Sequence, residues 1–356
     1  MTKVAIIGTQ GVPAKYGGFE SLVENLLGDN CPEDIEYTVF CSGKDMPERL
    51  THYKGAKLEY VPLKANGIQS VPYDIISMCK VLRGYDVILV LGVSGCLFLP
   101  IFHKLNSKKL IINIDGMEYK RNKWNKFVKK VLKKSEAMAV KYADVIITDN
   151  KAIRDYVAME YGKKSKLIAY GGDHVMRTLP EGFAEETLQR YGLKKNDYAI
   201  AVCRIEPENN CDMVLDAFSR TDKSLVYIGN WNHNAYSQEL RKKYSVFPNI
   251  KMLDAIYDLD ILYALRSNAG IYIHGHSAGG TNPSLVEAMF FGMPIISFDV
   301  IFNRATTADQ AYYFHTTDEL LSIISRSDLD GAPMKKIARE RYTWKSISKQ
   351  YAALYR

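Results

Sequence analysis

Cysteine is scarce and unpatterned in this chain of 356 residues: Cys31, Cys41, Cys79, Cys96, Cys203 and Cys211 form no CxxC pair and no metal-binding spacing. That excludes a disulfide scaffold and suits thiols packed as small hydrophobes in a reducing cytoplasm. Long hydrophobic runs are also missing. The longest uncharged stretch, Val87 to Phe102, falls short of the roughly 20 apolar residues of a spanning helix and is interrupted by Gly92, Gly95 and Pro100. It reads as a strand, a loop and a helix start. No charged-then-apolar leader is expected, since Met1 leads directly into a strand. Solenoid repeats and low-complexity tracts are lacking as well.

What is present is globular: 47% hydrophobic and 24% charged residues, with length enough for two domains. Apolar runs at Val4–Ile7, Tyr37–Cys41, Lys57–Val61, Val87–Leu91, Leu110–Ile114 and Val145–Thr148 alternate with amphipathic segments. A second series follows at Ala199–Cys203, Leu225–Ile228, Ile250–Leu253, Gly270–Ile273 and Pro294–Phe298. The alternation predicts an α/β protein with two Rossmann-like, doubly wound parallel sheets. The break is expected near Ala169–Val175, giving domains 1–170 and 171–340. A final aromatic helix, 341–356, places Trp344, Ile347, Tyr351 and Leu354 at helical spacing for docking.

The first strand runs into GTQGVPAKYGGFE, but Gly8-Thr-Gln-Gly11 misses the dinucleotide spacing. Two readings of the loop stay open: amides around Gly17 and Gly18 facing an anion or sugar, or a turn that only lets strand and helix pack. In HGHSAGGTNPSLVEAMFFGMPII, Asn282 caps a helix with Pro283 at its first position, so amides of Gly280, Thr281, Asn282, Ser284 and Leu285 would face a diphosphate. Glu287, one turn in, would accept hydrogen bonds from ribose hydroxyls or merely help the helix start. His274 and His276 end the preceding strand, where a histidine either touches sugar or holds the loop.

This segment resembles the donor site of retaining family 4 glycosyltransferases of the GT-B fold. AVCRIEPENNCDMVLDAF is similar to their diphosphate loop, and TWKSISKQYAALYR to their crossover helix. With GTQGVPAKYGGFE, NIDGMEYKRNKW and RIEPENN in the same order, the chain looks closest to a bacterial rhamnosyltransferase subgroup that builds capsule and cell-wall polysaccharide. The resemblance implies two Rossmann-like domains facing a cleft, acceptor-binding first and donor-binding second, with the last helix packing back on the first domain. It implies transfer of L-rhamnose from dTDP-L-rhamnose to a lipid-linked saccharide. Two departures stand out: Gly279 occupies the place of the family's first glutamate, and Asn209 that of its usual lysine.

Charge on the leaving diphosphate would then rest on Arg204, helix amides and a further basic residue such as Arg304, with no metal and no cofactor beyond the nucleotide sugar. The Asp258–Asp260 and Asp328–Asp330 pairs read as helix caps rather than metal ligands. Asp115 and Glu118, after the strand Leu110–Ile114, are the candidates to orient or deprotonate an acceptor hydroxyl, with a plain Asp-Gly turn as the other reading. The formal net charge of +7 concentrates in NKWNKFVKKVLKK. There Trp124, Phe127, Val128, Val131 and Leu132 repeat at helical spacing among Lys126, Lys129, Lys130, Lys133 and Lys134. Such a helix suits an anionic membrane surface or a core position under a solvated lysine face. Nucleic acid is not an expected partner, and the expected location is cytoplasmic, peripheral at the inner face of the plasma membrane. Rival readings are a GT-B transferase with a UDP- or GDP-sugar, a nucleotide-sugar epimerase, and a non-catalytic binding subunit.

Overall fold

The computed structural model describes every residue except 15, 16, 115 and 121–123, and the side chain of 120. The chain forms two compact units, Met1–Tyr170 with Trp344–Arg356, and Gly171–Thr343.

In the first unit lie β1 (Thr2–Ile7), β2 (Ile35–Ser42), β3 (His52–Tyr53), β4 (Ala56–Val61), β5 (Val87–Leu91), β6 (Lys109–Asn113), β7 (Val145–Thr148) and β8 (Lys166–Leu167). They make one sheet in the order β3-β4-β2-β1-β5-β6-β7-β8, antiparallel only between β3 and β4. Val4 sits opposite Tyr37 on one side and Val87 on the other. With helices on both faces, Val4, Ala5, Ile6 and Ile7 are all buried, which is why β1 reads as a continuous apolar run.

The closing helix Trp344–Tyr355 belongs to this unit. Trp344, Ile347, Tyr351 and Tyr355 join the core of β1, β2 and the helix Gly18–Leu26. Its polar tips are met as well: Asn113 donates to the Tyr351 hydroxyl at 2.9 Å, and the Tyr37 and Tyr355 rings pack edge to face at 6.0 Å.

The second unit contains β9 (Tyr198–Val202), β10 (Ser224–Ile228), β11 (Ile250–Leu253), β12 (Ile271–His274), β13 (Ile295–Phe298) and β14 (Tyr312–Phe314). The sheet is wholly parallel in the order β11-β10-β9-β12-β13-β14. Numbered within the unit this is 3-2-1-4-5-6, whose direction reverses between β9 and β12, and ligands of such sheets bind beyond the strand ends at that reversal.

All the strands expected from sequence occur, with ends within two residues. Strands β3, β8 and β14 were not expected, being too short to show a period. The run Val87 to Phe102 becomes β5, a short turn of 3-10 helix at Cys96–Phe98 and the start of the helix Leu99–Leu105. Among the described residues, no helix is long and apolar enough to cross a membrane.

Candidate functional site

At the reversal of the second sheet, two loops leave neighbouring strands and are stitched together. The loop after β9 carries Arg204 and turns through Pro207–Asn209. The loop after β12 carries His276 and Ser277. Asn209 is the central strut: its side-chain amide donates to the Arg204 carbonyl at 2.7 Å, and its oxygen lies 2.6 Å from His276 Nδ1. Ser277 donates through both its N–H and its hydroxyl to the Glu208 carbonyl, and Asn210 donates to the Gly275 carbonyl at 2.8 Å. Only glycine fits at 275, because a Cβ there would stand 2.1 Å from the Asn209 carbonyl oxygen. Asn209, at the place of the family's lysine, therefore fixes the loop rather than adding charge.

Arg204 is the exposed cation of this edge, 47% exposed at its side chain, with Glu208 at 3.7 Å. Arg304, expected as a second cation, is withdrawn from that role: it pairs with both oxygens of Asp299 at 2.5 and 2.6 Å, reaches Asp309 at 3.2 Å and stacks over Tyr313. The Asp299 bond raises the guanidinium's proton affinity further.

His274 closes β12, 2% exposed, its ring stacked on Tyr272. Burial, with His276 adding to it, pulls its pKa well below the ordinary value, so the imidazole is neutral. Its Nε2 is buried without a hydrogen-bond partner among the described residues.

Glu287 lies in the helix Pro283–Met289, and its carboxylate is held by protein. Arg266 Nη1 donates to it at 2.9 Å and His174 Nε2 stands at 3.5 Å. Arg266 is only 3% exposed, and its Nε has no partner among the described residues. Burial lowers the His174 pKa although Glu287 pulls the other way. Sequence reasoning missed Arg266 and His174, because an arginine in a helix's last turn reads as an ordinary complement to the helix dipole.

The amide set at this helix is smaller than expected. Asn282 Oδ1 accepts from both the N–H and the hydroxyl of Ser284, and the Leu285 N–H bonds the Asn282 carbonyl. Gly280 and Thr281 lie on the loop before the helix. Gly279 has a φ of 95°, a conformation glutamate rarely adopts. Asp258 caps its helix, accepting from Asp260 and Ile261, while Asp328 pairs with Arg326 and Asp330 caps Ala332.

In the first unit, the glycine loop closes on its own helix. Glu20 accepts from Thr9 Oγ1 at 2.9 Å and Gln10 N at 2.7 Å, and Glu24 accepts from Ala14 N at 2.9 Å. A Cβ on Gly17 would stand 2.0 Å from Glu20 Oε2. Gly17 thus makes room for a carboxylate, and an anion bound beside Gly17 and Gly18 would meet negative charge. The turn reading of this loop fits these contacts. Glu118 accepts from Trp124 Nε1 at 3.0 Å. Asp115 lies outside the described residues.

Residues 184–319 match the family model "Glycosyl transferases group 1", and residues 1–173 match a domain of unknown function, DUF1972. Among curated proteins, the GtfA subunit of UDP-N-acetylglucosamine–peptide N-acetylglucosaminyltransferase from Limosilactobacillus reuteri is 25% identical over 201 residues, 50% of this chain and 38% of that protein. The chain thus spans well under half the length of that relative. Among solved structures, sucrose-phosphate synthase from Thermosynechococcus elongatus aligns at a TM-score of 0.80 with 14% identity, over 100% of this chain and 98% of the other. HepE of Anabaena, solved with UDP, aligns at 0.75 with 14% identity over 99% of both chains. The chain has the GT-B fold, and the match to the glycosyl transferases group 1 model falls within its second unit.

Proposed function

We propose that this chain is a glycosyltransferase that takes a nucleotide sugar at the β9–β12 reversal and moves its sugar to a lipid-linked saccharide. The observation that carries the donor site is the buried Nε2 of His274, unpartnered among the described residues, at the strand end beside the stitched Arg204 loop. A buried polar atom without a partner costs about 1–3 kcal/mol, and a ligand hydroxyl or phosphate oxygen would remove that cost. Neutral His274 donates or accepts there, Arg204 faces the departing diphosphate, and Glu287, held by Arg266, accepts from ribose hydroxyls. The mechanism is retaining, with charge stabilised by Arg204 and backbone amides rather than a metal.

The sugar proposed is L-rhamnose from dTDP-L-rhamnose, on the motif resemblance alone. A UDP-sugar is the second reading, favoured by HepE having been solved with UDP and with UDP-glucose. Asp115 and Glu118 are proposed on the acceptor side. Attachment to an anionic membrane at its cytoplasmic face is supported by Phe127, 75% exposed between exposed Lys126 and Lys130.

Incubation with a panel of dTDP-, UDP- and GDP-sugars and a membrane lipid extract, with products weighed by mass spectrometry, tests the reading. Consumption of donor without acceptor points to an epimerase, and binding without turnover to a non-catalytic subunit. Arg204→Ala should lower turnover more than it raises the apparent donor constant. An effect on the donor constant alone would contradict its role at the leaving group.

A further inference from the structure

The helix Lys126–Tyr142 of the first unit borders a concavity of about 560 Å³ lined by Tyr119, Lys129, Lys130, Lys133, Lys134, Ala137, Glu160 and Tyr161. Its floor is built rather than incidental. Lys133 turns inward beneath three tyrosine rings, those of Tyr119, Tyr156 and Tyr161, with centroids at 4.8, 4.9 and 4.8 Å. Glu160 lies 2.8 Å from its ammonium group, and buried Glu136 accepts from the Tyr156 and Tyr161 hydroxyls at 2.6 Å each. Burial works against the Lys133 charge, but Glu160 and Tyr161 more than offset it, and the ammonium is held.

Lys133 is therefore spent on fixing the tyrosines. Lys129, Lys130 and Lys134 are different: among the described residues none of them meets a carboxylate. Lys129 and Lys130 on one turn and Lys134 on the next line the concavity beside its aromatic wall, a concave site for a compact anion with two or more charges. A flat membrane surface would need no concavity and no oriented tyrosine.

We propose that this lysine-rimmed, tyrosine-walled pocket binds a phosphate or diphosphate group, the one by which the acceptor is anchored. The inference rests on the lipid-linked acceptor of the proposed function, and it gives that acceptor a place in the first unit.

Calorimetric titration with inorganic diphosphate tests it on the whole chain. The wild type should show a component that weakens at least about tenfold in Lys130→Gln/Lys134→Gln, because charge-assisted contacts are lost. That component should survive in Lys104→Gln/Lys141→Gln, which removes the same charge from exposed positions outside the pocket, and in Arg204→Ala, which removes the cation of the other unit. Equal isotherms in the wild type and the pocket variant, or equal losses in both double variants, would overturn the site. Flotation on phosphatidylcholine vesicles carrying phosphatidic acid separates the sources of the group. Release by inorganic diphosphate means that the pocket reads a lipid headgroup, and diphosphate binding without flotation means a soluble phosphorylated acceptor. Flotation with no response to diphosphate sinks the pocket and leaves surface attachment only. The nucleotide-sugar panel is read separately, so a failed donor reading and an empty pocket are told apart.

Discussion

Glu287 meets a buried arginine and a histidine before any ligand arrives, and that changes what its removal does. Glu287→Ala leaves Arg266 buried and uncompensated, a loss of about 3–5 kcal/mol for a broken buried pair, whereas Glu287→Gln keeps an acceptor oxygen. Thermal melting should show the alanine variant well below the glutamine one. Equal midpoints would mean that Arg266 finds another partner. Donor affinity is then to be measured in the glutamine variant, where a drop reports on ribose rather than on folding.

Asp74 offers a pH test at the same scale. It is buried in the helix Ser70–Lys80, and among the described residues its carboxylate accepts only the Gly95 N–H, at 3.0 Å, so burial raises its pKa from 3.8 to about 7. A raised carboxyl pKa means that the folded chain holds a proton the unfolded chain has released between pH 4 and 7. Stability therefore falls as pH rises through that window, by about 4 kcal/mol once the folded carboxyl ionises. In Asp74→Asn the contribution disappears, and the melting midpoint between pH 5 and 8 should flatten. A slope identical to the wild type would assign the pH dependence to other groups. Residues like Asp74 and Arg266 were illegible in the sequence because a charged side chain on an amphipathic helix carries no mark of which face it takes. The positions of Arg204, just past the end of β9, and His274, closing β12, were legible because strand ends show in the apolar pattern.

The helix Lys126–Tyr142 shows where periodicity runs out. The expected stripe was Trp124, Phe127, Val128, Val131 and Leu132, yet the buried residues are Ser135, Glu136, Ala139 and Val140, in the second half. Phe127 faces outward. The repeat of apolar positions identified a helix, but the side that packs depends on neighbours such as Glu136, whose two tyrosine partners lie on the helix Lys151–Tyr161. Phe127 and the free lysines predict salt-sensitive attachment: Phe127→Ser should weaken binding to anionic vesicles while leaving the melting midpoint within about 0.5 kcal/mol of wild type, as for an exposed site. A large loss of stability would place Phe127 in a core instead. By contrast, the strands were read almost to the residue, since central parallel strands are buried on both faces and advertise themselves as apolar runs.

Across the whole molecule, the two sheets were legible and the share of the core contributed by the last residues was only partly so. Trp344, Ile347, Tyr351 and Leu354 were expected to dock and all pack on this core, Leu354 only partly buried, but the buried Tyr355 was missed. Ending the chain after Thr343 would strip four large side chains from the first unit's core. At about 1.5–3 kcal/mol each, that loss rivals the whole stability of a domain. Calorimetry should then show the second unit's transition persisting and the first unit's lost or moved far down; two unchanged transitions would contradict this.

The same connectivity sets an order of events during synthesis. The second unit is one continuous stretch, Gly171–Thr343, and can close as soon as it leaves the ribosome. The first unit is drawn from two stretches separated by the second, Met1–Tyr170 and Trp344–Arg356. Its first 170 residues emerge early, yet their apolar groove between β1, β2 and the helix Gly18–Leu26 stays open until Trp344–Arg356 appears. Between the emergence of Tyr170 and that of Trp344–Arg356 the nascent chain carries an unfinished hydrophobic face, and that face is where a chaperone would be needed.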